Sequence, residues 1–572
     1  LVVFVLPTLL VLSKKIKPTI YAPIIILVII NILFSIIPNI RFDFTSDKRY
    51  TLSDYTKNIL EDVGTKQSIH INLYLTGDLN PSFRHLQEAA NDLLKDYRRI
   101  TNNNIDINYI NPYQNNDNAS DLFSKMSDQG MKGIMLNETD REGKASRKMI
   151  YPYAQVTNGK DTLVVSLLKN VTGYSPEENI NASVENLEFE FTDAIRLLNQ
   201  KEFKSVAFIE GHNEIPRIYV YDAEEALSKY YFVSRGRIGN DMEALNDFSA
   251  VIVAGALSKY TEAEKYIIDQ YIMSGGKVLW LVDGVYYSHE ELVETGRSAS
   301  MKNDINLDDM LFAYGVRINA DLIQDRQCVS AYLITGDDAQ SATTVPSFYQ
   351  PLLLPSQDFV ITKNIRDVKA GFASSIDIVN NLPDVKKNIL LTSSANAHLV
   401  KVPEPINFDI EPIQNQPDYF NQPFIPVAVS LEGVFNSVFQ NRAIPDSVNI
   451  GARQTAGRSK VTKMIVVSSS DIITNEIQGQ GANSQILPMG YDRVSQRQFG
   501  NQDFIVNAVN WLTDDGGLMG LRAKKQQLYI LNKKAAYENR NLYAALNIGI
   551  PVLFIALVMG TTVLCRKRKY EK

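Results

Sequence analysis

Cysteine is almost absent from this chain, and its absence excludes several kinds of site. The 572 residues include only Cys328 and Cys565, and Cys565 lies at the end of an apolar segment near the C-terminus. The large central region therefore holds one cysteine and can form no internal disulfide, no CxxC redox pair and no multi-cysteine zinc site. We expect ordinary hydrophobic cores to stabilise the fold.

The short motifs of nucleotide-dependent enzymes are also missing. The chain has no G-x-x-x-x-G-K-[ST] phosphate loop, no G-x-G-x-x-G dinucleotide turn and no G-x-S-x-G nucleophile elbow. We therefore predict that it uses no cofactor and does not hydrolyse ATP, so an energised role needs a partner. Residues 39–541 hold 50 of the 58 Lys and Arg but 63 of the 64 Asp and Glu. This balance of about −13 argues against nucleic acid as a partner.

Two long apolar segments without a charged residue lie near the ends of the chain, at residues 19–38 and 542–564. Each is long enough to cross a bilayer core of about 30 Å as a helix. Lysines precede the first segment and the basic tail 565–572 follows the second, which favours the cytoplasmic side for both termini. We expect two helices in the inner (cytoplasmic) membrane, with a periplasmic body between them and a basic juxtamembrane segment at 521–541. Residues 1–18 are then a cytoplasmic segment, or the truncated remainder of an earlier span or fusion.

Residues 41–202 have the pattern of one small α/β domain. Alternating apolar residues predict strands at 69–75 and 105–110, and helical spacing predicts a helix over 81–100. A further helix, a polar loop, two strands at 149–157 and 162–168 joined by an Asn-Gly turn, and a last helix follow. This order is that of a thioredoxin-like domain. Because residues 77–81 read Gly-Asp-Leu-Asn-Pro where a redox member carries CxxC, we predict no oxidoreductase activity.

Residues 203–520 form a second predicted α/β domain. Continuous apolar runs at 205–209, 250–254 and 277–282 are typical of parallel strands that are buried on both faces. A capping box begins the helix that precedes the third run. Residues 340–460 include a proline-rich stretch, and we expect an irregular insertion there, ordered and packed on the α/β core.

Charged residues follow three of the predicted strands, at the position where doubly wound sheets bind ligands. The candidate ligand-binding residues are Glu210, His212 and Glu214 after the first strand, Asp283 after the third, and Asp471 after a later predicted strand at 463–467. Imidazole and carboxylates suit a metal or acid–base site. The alternative at 210–214 is a tight turn with a glycine at positive φ and His212 on the surface. We favour the turn, because one histidine without a second His or Cys ligand is weak evidence for a metal.

Several stretches of the sequence are similar to one known family. They read RFDFTSDKRYTLSDYTKNIL, INLYLTGDLNPSFRHLQEAANDLLKDYR, VENLEFEFTDAIRLLNQKEFKSVAFIEGHNE and MGYDRVSQRQFGNQDFIVNAVNWLTDD. From residue 41 to the second apolar segment, the chain resembles the gliding-motility-associated GldG family of ABC transporter auxiliary, substrate-binding-type proteins.

The resemblance implies an ABC permease and an ABC ATPase as partners, and an α/β portion related to glutamine-amidotransferase-like domains. Enzymes of that fold need a cysteine on a nucleophile elbow, and Cys328 does not lie on one. We therefore expect a non-catalytic accessory subunit that holds a large periplasmic domain beside a permease and binds an unidentified ligand or protein. The alternative is a membrane-anchored ectodomain enzyme or sugar-binding protein that acts on cell-envelope material, with its site around Glu210, His212, Glu214 and Asp283.

Overall fold

The computed structural model describes residues 51–570, with gaps at 65–67, 114–118, 140–144, 172–173, 201, 335–341, 380–381, 410, 450–454, 480–483, 515, 524–536 and 538. The chain divides into two compact units, residues 53–525 and residues 1–52 together with 526–572. The predicted first anchor at 19–38 lies outside the described residues. The fold is mixed α/β, and its two larger sheets both contain parallel strands.

The larger unit begins with a four-stranded sheet in the order β2-β1-β5-β6. Strand β1 runs parallel to β2 and antiparallel to β5. One face of α2 is buried through Phe83, Leu86, Ala90, Leu94 and Tyr97, at the helical spacing that the sequence predicts. The elements of this region are α1 (Asp54–Gly64), β1 (Ile69–Leu73), α2 (Pro81–Ile100), β2 (Ile105–Tyr109), α3 (Ala119–Asp128), β3 (Ile134–Thr139), β4 (Ala145–Ile150), β5 (Tyr153–Thr157), β6 (Thr162–Ser166) and α4 (Pro176–Asn199).

A hairpin of β3 and β4 occupies residues that the sequence pattern predicted as a polar loop. The two strands pair antiparallel from Ile134–Ile150 to Thr139–Ala145. Polar and charged residues follow one another in β4, which reads Ala-Ser-Arg-Lys-Met-Ile. The alternation that marks a half-buried strand is therefore weak here. The hairpin also divides the predicted strand 149–157 between β4 and β5.

A ten-stranded sheet forms the centre of the second region, in the order β16-β17-β20-β23-β24-β10-β9-β7-β8, with β18 paired to β17. The elements are β7 (Lys204–Ile209), α5 (Tyr221–Ser228), β8 (Tyr231–Gly236), β9 (Ala250–Ala254), α6 (Glu262–Met273), β10 (Val278–Leu281), β11 (Val285–Tyr287), α7 (His289–Thr295), β12 (Arg297–Ser298), β13 (Ser300–Lys302), α8 (Asp308–Tyr314), β14 (Val316–Ile318), β15 (Asp321–Asp325), β16 (Cys328–Ile334), β17 (Ala342–Pro355), β18 (Val368–Lys369), β19 (Ile376–Ile378), β20 (Val385–Thr392), β21 (Ala397–Lys401), β22 (Ile406–Asn407), α9 (Glu411–Gln414), β23 (Pro426–Gly433), β24 (Thr462–Val467), β25 (Ile477–Gln478), β26 (Gln485–Ile486), β27 (Tyr491–Asp492), β28 (Arg497–Gln498), α10 (Asn501–Thr513) and α11 (Gly520–Ala523).

The half of this sheet from β8 to β24 is parallel, in the spatial order β8-β7-β9-β10-β24. In chain order this is 2-1-3-4-5, the arrangement of doubly wound sheets, whose carboxyl edge forms a crevice. The other half, through β23, β20, β17 and β16, is antiparallel.

The antiparallel half corrects the expectation of an irregular insertion at 340–460. Strands β17, β20 and β23 all lie in that segment and extend the central sheet. The prolines of residues 403–426 fall mostly between β21 and β23, where no central strand needs their missing N–H groups. The prediction of an irregular insertion relied on the prolines and did not include the strands on both sides of them.

Both faces of the inner parallel strands β7, β9, β10 and β24 are largely buried, because helices cover each face. Ile252 of β9 belongs to one core with Phe504 of α10, whereas its neighbours Val251 and Val253 belong to the other core with Ile267 of α6. Strand β9 is fully buried along its length. Burial on both faces explains why these strands appear in the sequence as unbroken apolar runs.

Helix α12 (Arg540–Tyr570) belongs to the smaller unit. Its window Arg540–Leu557 has a mean hydropathy of 1.5, so by length and composition the helix is able to cross a membrane. Among the described residues it is the one helix that meets this criterion. It contains the predicted span at 542–564, with Pro551 inside the helix.

Candidate ligand-binding cleft

The carboxyl ends of β9, β10 and β24 meet at one edge of the central sheet, because the three strands are parallel neighbours. Gly255 follows β9, Asp283 follows β10, and Ser470 and Asp471 begin a short 3-10 helix (Ser470–Ile473) after β24. All four residues line a cleft of about 340 Å³. This volume is sufficient for a small organic molecule.

Asp283 is held in place by Ser470 from the neighbouring strand end. The Ser470 backbone N–H donates to Oδ1 at 2.7 Å, and the Ser470 hydroxyl donates to Oδ2 at 2.5 Å. Burial raises the pKa of Asp283 to about 6, although both hydrogen bonds oppose the shift. The carboxyl group is thus fixed in position, and it changes from protonated to ionised around pH 6.

Asp471 lies in the same cleft, against Thr474 and Gly371. The Thr474 hydroxyl donates to Asp471 Oδ1 at 2.9 Å. A Cβ atom at Gly371 would lie 2.7 Å from Asp471 Oδ2. Any residue other than glycine would therefore displace this carboxylate. Burial raises the pKa of Asp471, and the charge of Lys369 opposes the shift in part.

An aromatic wall completes the cleft, and the sequence analysis did not identify it. The rings of Tyr287 and Phe372 lie 4.3 Å apart between centroids, and Tyr349 stacks on Phe372 at 5.8 Å. Phe372 has a positive φ of 48°, a conformation that costs a non-glycine residue free energy. Burial, followed by the charges of Asp471 and Asp283, raises the pKa of the Tyr287 hydroxyl, which places this group near both carboxylates.

His212 does not lie on the surface as predicted. Its side chain is buried at 4% exposure, and its ring stacks on Tyr260 with 3.6 Å between centroids. Nδ1 is 3.1 Å from Glu214 Oε1, and Nε2 is 3.1 Å from Glu264 Oε2. Burial disfavours the charged ring, but the hydrogen bonds to Glu214 and Glu264 outweigh it and raise the pKa of His212. We call His212, Glu214, Glu264 and Tyr260 the histidine clamp.

The clamp fixes the turn after β7 onto the start of α6. Gly211 has a positive φ of 125°, in agreement with the predicted tight turn. Glu264 is also the third residue of the α6 capping box with Thr261. Glu210, at the start of the turn, accepts a hydrogen bond from Arg235 Nε at 2.6 Å. These charged groups are therefore paired with one another, and Glu210, His212 and Glu214 do not line the cleft.

The structure thus separates the candidate residues into two sets. Asp283 and Asp471 lie together in the cleft, whereas the three residues after β7 belong to the turn and the clamp. In the part of the chain that is described, no group of three or more His, Cys, Asp and Glu side chains is arranged to hold a metal ion. Cys328 begins β16, and burial raises the pKa of its thiol to about 12.

Comparisons with known proteins give four findings. No curated protein matches the chain. The N-terminal domain of mmIFT52, a solved structure, covers 55% of this chain and 99% of its own, at 14% identity and a TM-score of 0.32, a similarity too low to assign the fold. Residues 46–157 match a family model described as a domain of unknown function.

Residues 203–508 match the model of a family described as an ABC-type uncharacterized transport system. This segment includes the parallel half of the central sheet and every residue of the cleft. The match covers more than half of the 572 residues. The chain therefore belongs to this family of ABC transporter auxiliary proteins.

Proposed function

We propose that this protein is a non-catalytic accessory subunit of an ABC transporter of the gliding-motility type. We further propose that its cleft binds a ligand. Membership of the auxiliary family supports the transporter role. The GldG-like stretches outside the cleft, such as that at 41–60, support the more specific assignment. ABC permease and ATPase subunits are the proposed partners.

The proposed setting is the periplasmic side of the inner membrane, with both termini in the cytoplasm. Helix α12 and its basic end at 566–569 support the C-terminal anchor. The apolar segment 19–38 and its preceding lysines support the N-terminal one. Two anchors keep the body between them close to a permease in the same membrane.

The domain folds proposed from the sequence have topological support. The order β2-β1-β5-β6, with a parallel first pair and an antiparallel third strand, agrees with a thioredoxin-like sheet. The 2-1-3-4-5 order of the parallel strands agrees with an amidotransferase-like doubly wound domain. We infer that both domains position binding surfaces, since the first has Gly-Asp-Leu-Asn-Pro in place of CxxC.

The cleft is the observation that carries the proposal. Its two carboxylates are fixed by Ser470 and Thr474, yet they border an open volume of about 340 Å³. The half-buried thiol of Cys328, whose pKa is raised to about 12, is a poor nucleophile and lies outside the cleft. A shaped pocket without this nucleophile favours binding over acyl transfer.

One observation favours the rival function, an ectodomain hydrolase. A carboxyl group with a pKa near 6, such as Asp283, has the acidity of a general acid at neutral pH. The rival predicts that Asp283→Asn abolishes a hydrolytic activity on cell-envelope glycans. The accessory function predicts that purified protein releases no product from them before or after the substitution.

The test of the transporter role is affinity purification of the full-length chain in a mild detergent. We expect a multi-span permease and an ATPase with a phosphate-loop motif to co-purify in constant proportion. The purification is repeated with the tag on the permease, and untagged cells provide the background. Recovery of each tagged protein without the other would overturn the accessory function.

A further inference from the structure

We propose that the cleft binds small organic cations, specifically amines with an apolar or aromatic body. The inference rests on the ligand-binding role proposed above and adds the chemical class of the ligand. It follows from the charge of the cleft, from its hydrogen-bonding groups and from its aromatic wall, in that order.

The charge of the cleft is negative. Among the residues that the structure describes, the acidic side chains that line it are those of Asp283 and Asp471, the one imidazole is that of the exposed His289, and no Lys or Arg lines it. The nearby Lys369 and Arg493 both pair with Glu476, at 2.9 and 2.7 Å. These three groups together retain one positive charge, and the two aspartates outweigh it when both are ionised. A cation compensates this charge, whereas an anion adds to the repulsion.

The hydrogen-bonding groups point to a ligand that donates. Ionised carboxylates only accept hydrogen bonds, and each oxygen has two lone pairs. Ser470 donates one bond to each oxygen of Asp283, and Thr474 donates one to Asp471 Oδ1. Further lone pairs remain for a ligand at this edge of the cleft. An ammonium group has three donors and a positive charge, which makes each bond charge-assisted.

The aromatic wall supplies a surface for the rest of the ligand. The rings of Tyr287 and Phe372, tilted against each other at 34°, line the cleft together with the aliphatic side chains of Ile215 and Leu257. Aromatic faces attract cations through the ring quadrupole. Apolar surroundings also weaken screening by water, which strengthens the attraction between ammonium and carboxylate. A neutral polyol could use the same acceptors but would leave both charges uncompensated.

The experiment is calorimetric titration of the full-length chain in phosphatidylglycerol nanodiscs, with empty nanodiscs as background. The probes are 2-phenylethylammonium and its neutral isostere 2-phenylethanol. We expect the amine to bind roughly tenfold or more tightly than the alcohol. Equal binding of the two probes, or no binding of the amine at millimolar concentration, would overturn the proposal.

Variants locate the binding. Asp283→Asn and Asp471→Asn should each weaken amine binding roughly tenfold or more. The matched control is Asp325→Asn, since Asp325 accepts from the N–H and hydroxyl of Ser394 at 2.6 and 2.5 Å in the same geometry but outside the cleft. The control should bind the amine as the wild type does. Thermal unfolding of each variant verifies folding, and a folded cleft variant with unchanged affinity contradicts the assignment.

Two further arms complete the test. Lowering the pH from about 7.5 to about 5 should weaken amine binding as Asp283 takes up a proton, while binding of a neutral ligand should not follow this titration. An ethanolamine lipid headgroup has the same chemistry as a free amine, so nanodiscs with added phosphatidylethanolamine show whether the lipid competes. Failure of amine binding while permease and ATPase still co-purify would reject the ligand class and leave the transporter role intact.

Discussion

Two sets of residues at the carboxyl edge of the same sheet are similar in type but differ in chemistry. The turn after β7 contains Glu210, His212 and Glu214, and the ends of β10 and β24 contain Asp283 and Asp471. In the first turn the charged groups are paired with each other and with neighbouring elements. At the second position the carboxylates are fixed by hydroxyl and N–H donors and face an open cleft.

The difference lies in the partners rather than in the residue types. A histidine between two carboxylates uses both of its ring nitrogens, so neither remains for a ligand. A carboxylate that accepts from a serine retains lone pairs and charge. Strand-end position therefore identifies where a site lies in a doubly wound sheet, and unused hydrogen-bonding capacity identifies which residues form it.

The largest expected effect is that of removing the clamp histidine. His212→Ala leaves the buried carboxylate of Glu214 and the half-buried carboxylate of Glu264 without their shared partner. We expect a loss of about 3 kcal/mol in the free energy of unfolding. Urea titration of the full-length chain in mild detergent measures it. His289→Ala is the control, because His289 is exposed, and should change stability by less than about 0.5 kcal/mol. A loss for His212→Ala as small as the control's would refute the clamp.

The next largest effect concerns the cleft, where we expect one substitution to weaken both the stability of the protein and its binding of amines. In Gly371→Ala the new Cβ lies 2.7 Å from Asp471 Oδ2, so the carboxylate must shift, at a cost of about 1–2 kcal/mol. We expect amine binding to weaken more than roughly tenfold. Gly236→Ala is the matched control, because a Cβ there meets no atom within 4 Å. Unchanged amine affinity in a folded Gly371→Ala protein would show that the position of Asp471 does not matter for binding.

A third prediction uses the titration of Asp283. Its pKa of about 6 in the folded chain exceeds the value of about 3.9 expected when unfolded. The folded state therefore binds this proton more tightly, and deprotonation destabilises it. The stability of the wild type relative to Asp283→Asn should fall by about 2 kcal/mol as pH rises from about 4 to about 6, and should level off above about pH 7. Unfolding of both proteins across this pH range measures the difference, and a difference that increases with pH contradicts the assignment.

The sequence predicted those features that depend on local pattern. Apolar runs located β7, β9, β10 and β24, and the capping box located the start of α6, because these signals lie within a few residues of each other. The positions of Asp283 and Asp471 at strand ends followed from the same runs. The resemblance to an ABC transporter auxiliary family was confirmed by the family match.

The features that the sequence did not reveal depend on contacts between distant segments. The aromatic wall combines Tyr287, Tyr349 and Phe372 from three separate stretches, and no local spacing connects them. The burial of His212 depends on Tyr260, which lies just before α6 and is distant in sequence from the turn after β7. The positive φ of Phe372 had no sequence signal, since glycine and asparagine are the usual indicators of that conformation.

The smallest expected effect tests whether the turn after β7 is separate from the ligand-binding cleft. Glu210 belongs to the turn after β7, but its side chain is 43% exposed and its partner Arg235 also pairs with Glu224 at 2.7 Å. Glu210→Gln should therefore lower the free energy of unfolding by less than about 0.5 kcal/mol and leave amine affinity unchanged. Urea titration and calorimetry with 2-phenylethylammonium measure the two quantities. If Glu210→Gln weakened amine binding as much as Asp471→Asn does, the turn would belong to the ligand site, and the separation between paired turn and open cleft would have to be abandoned.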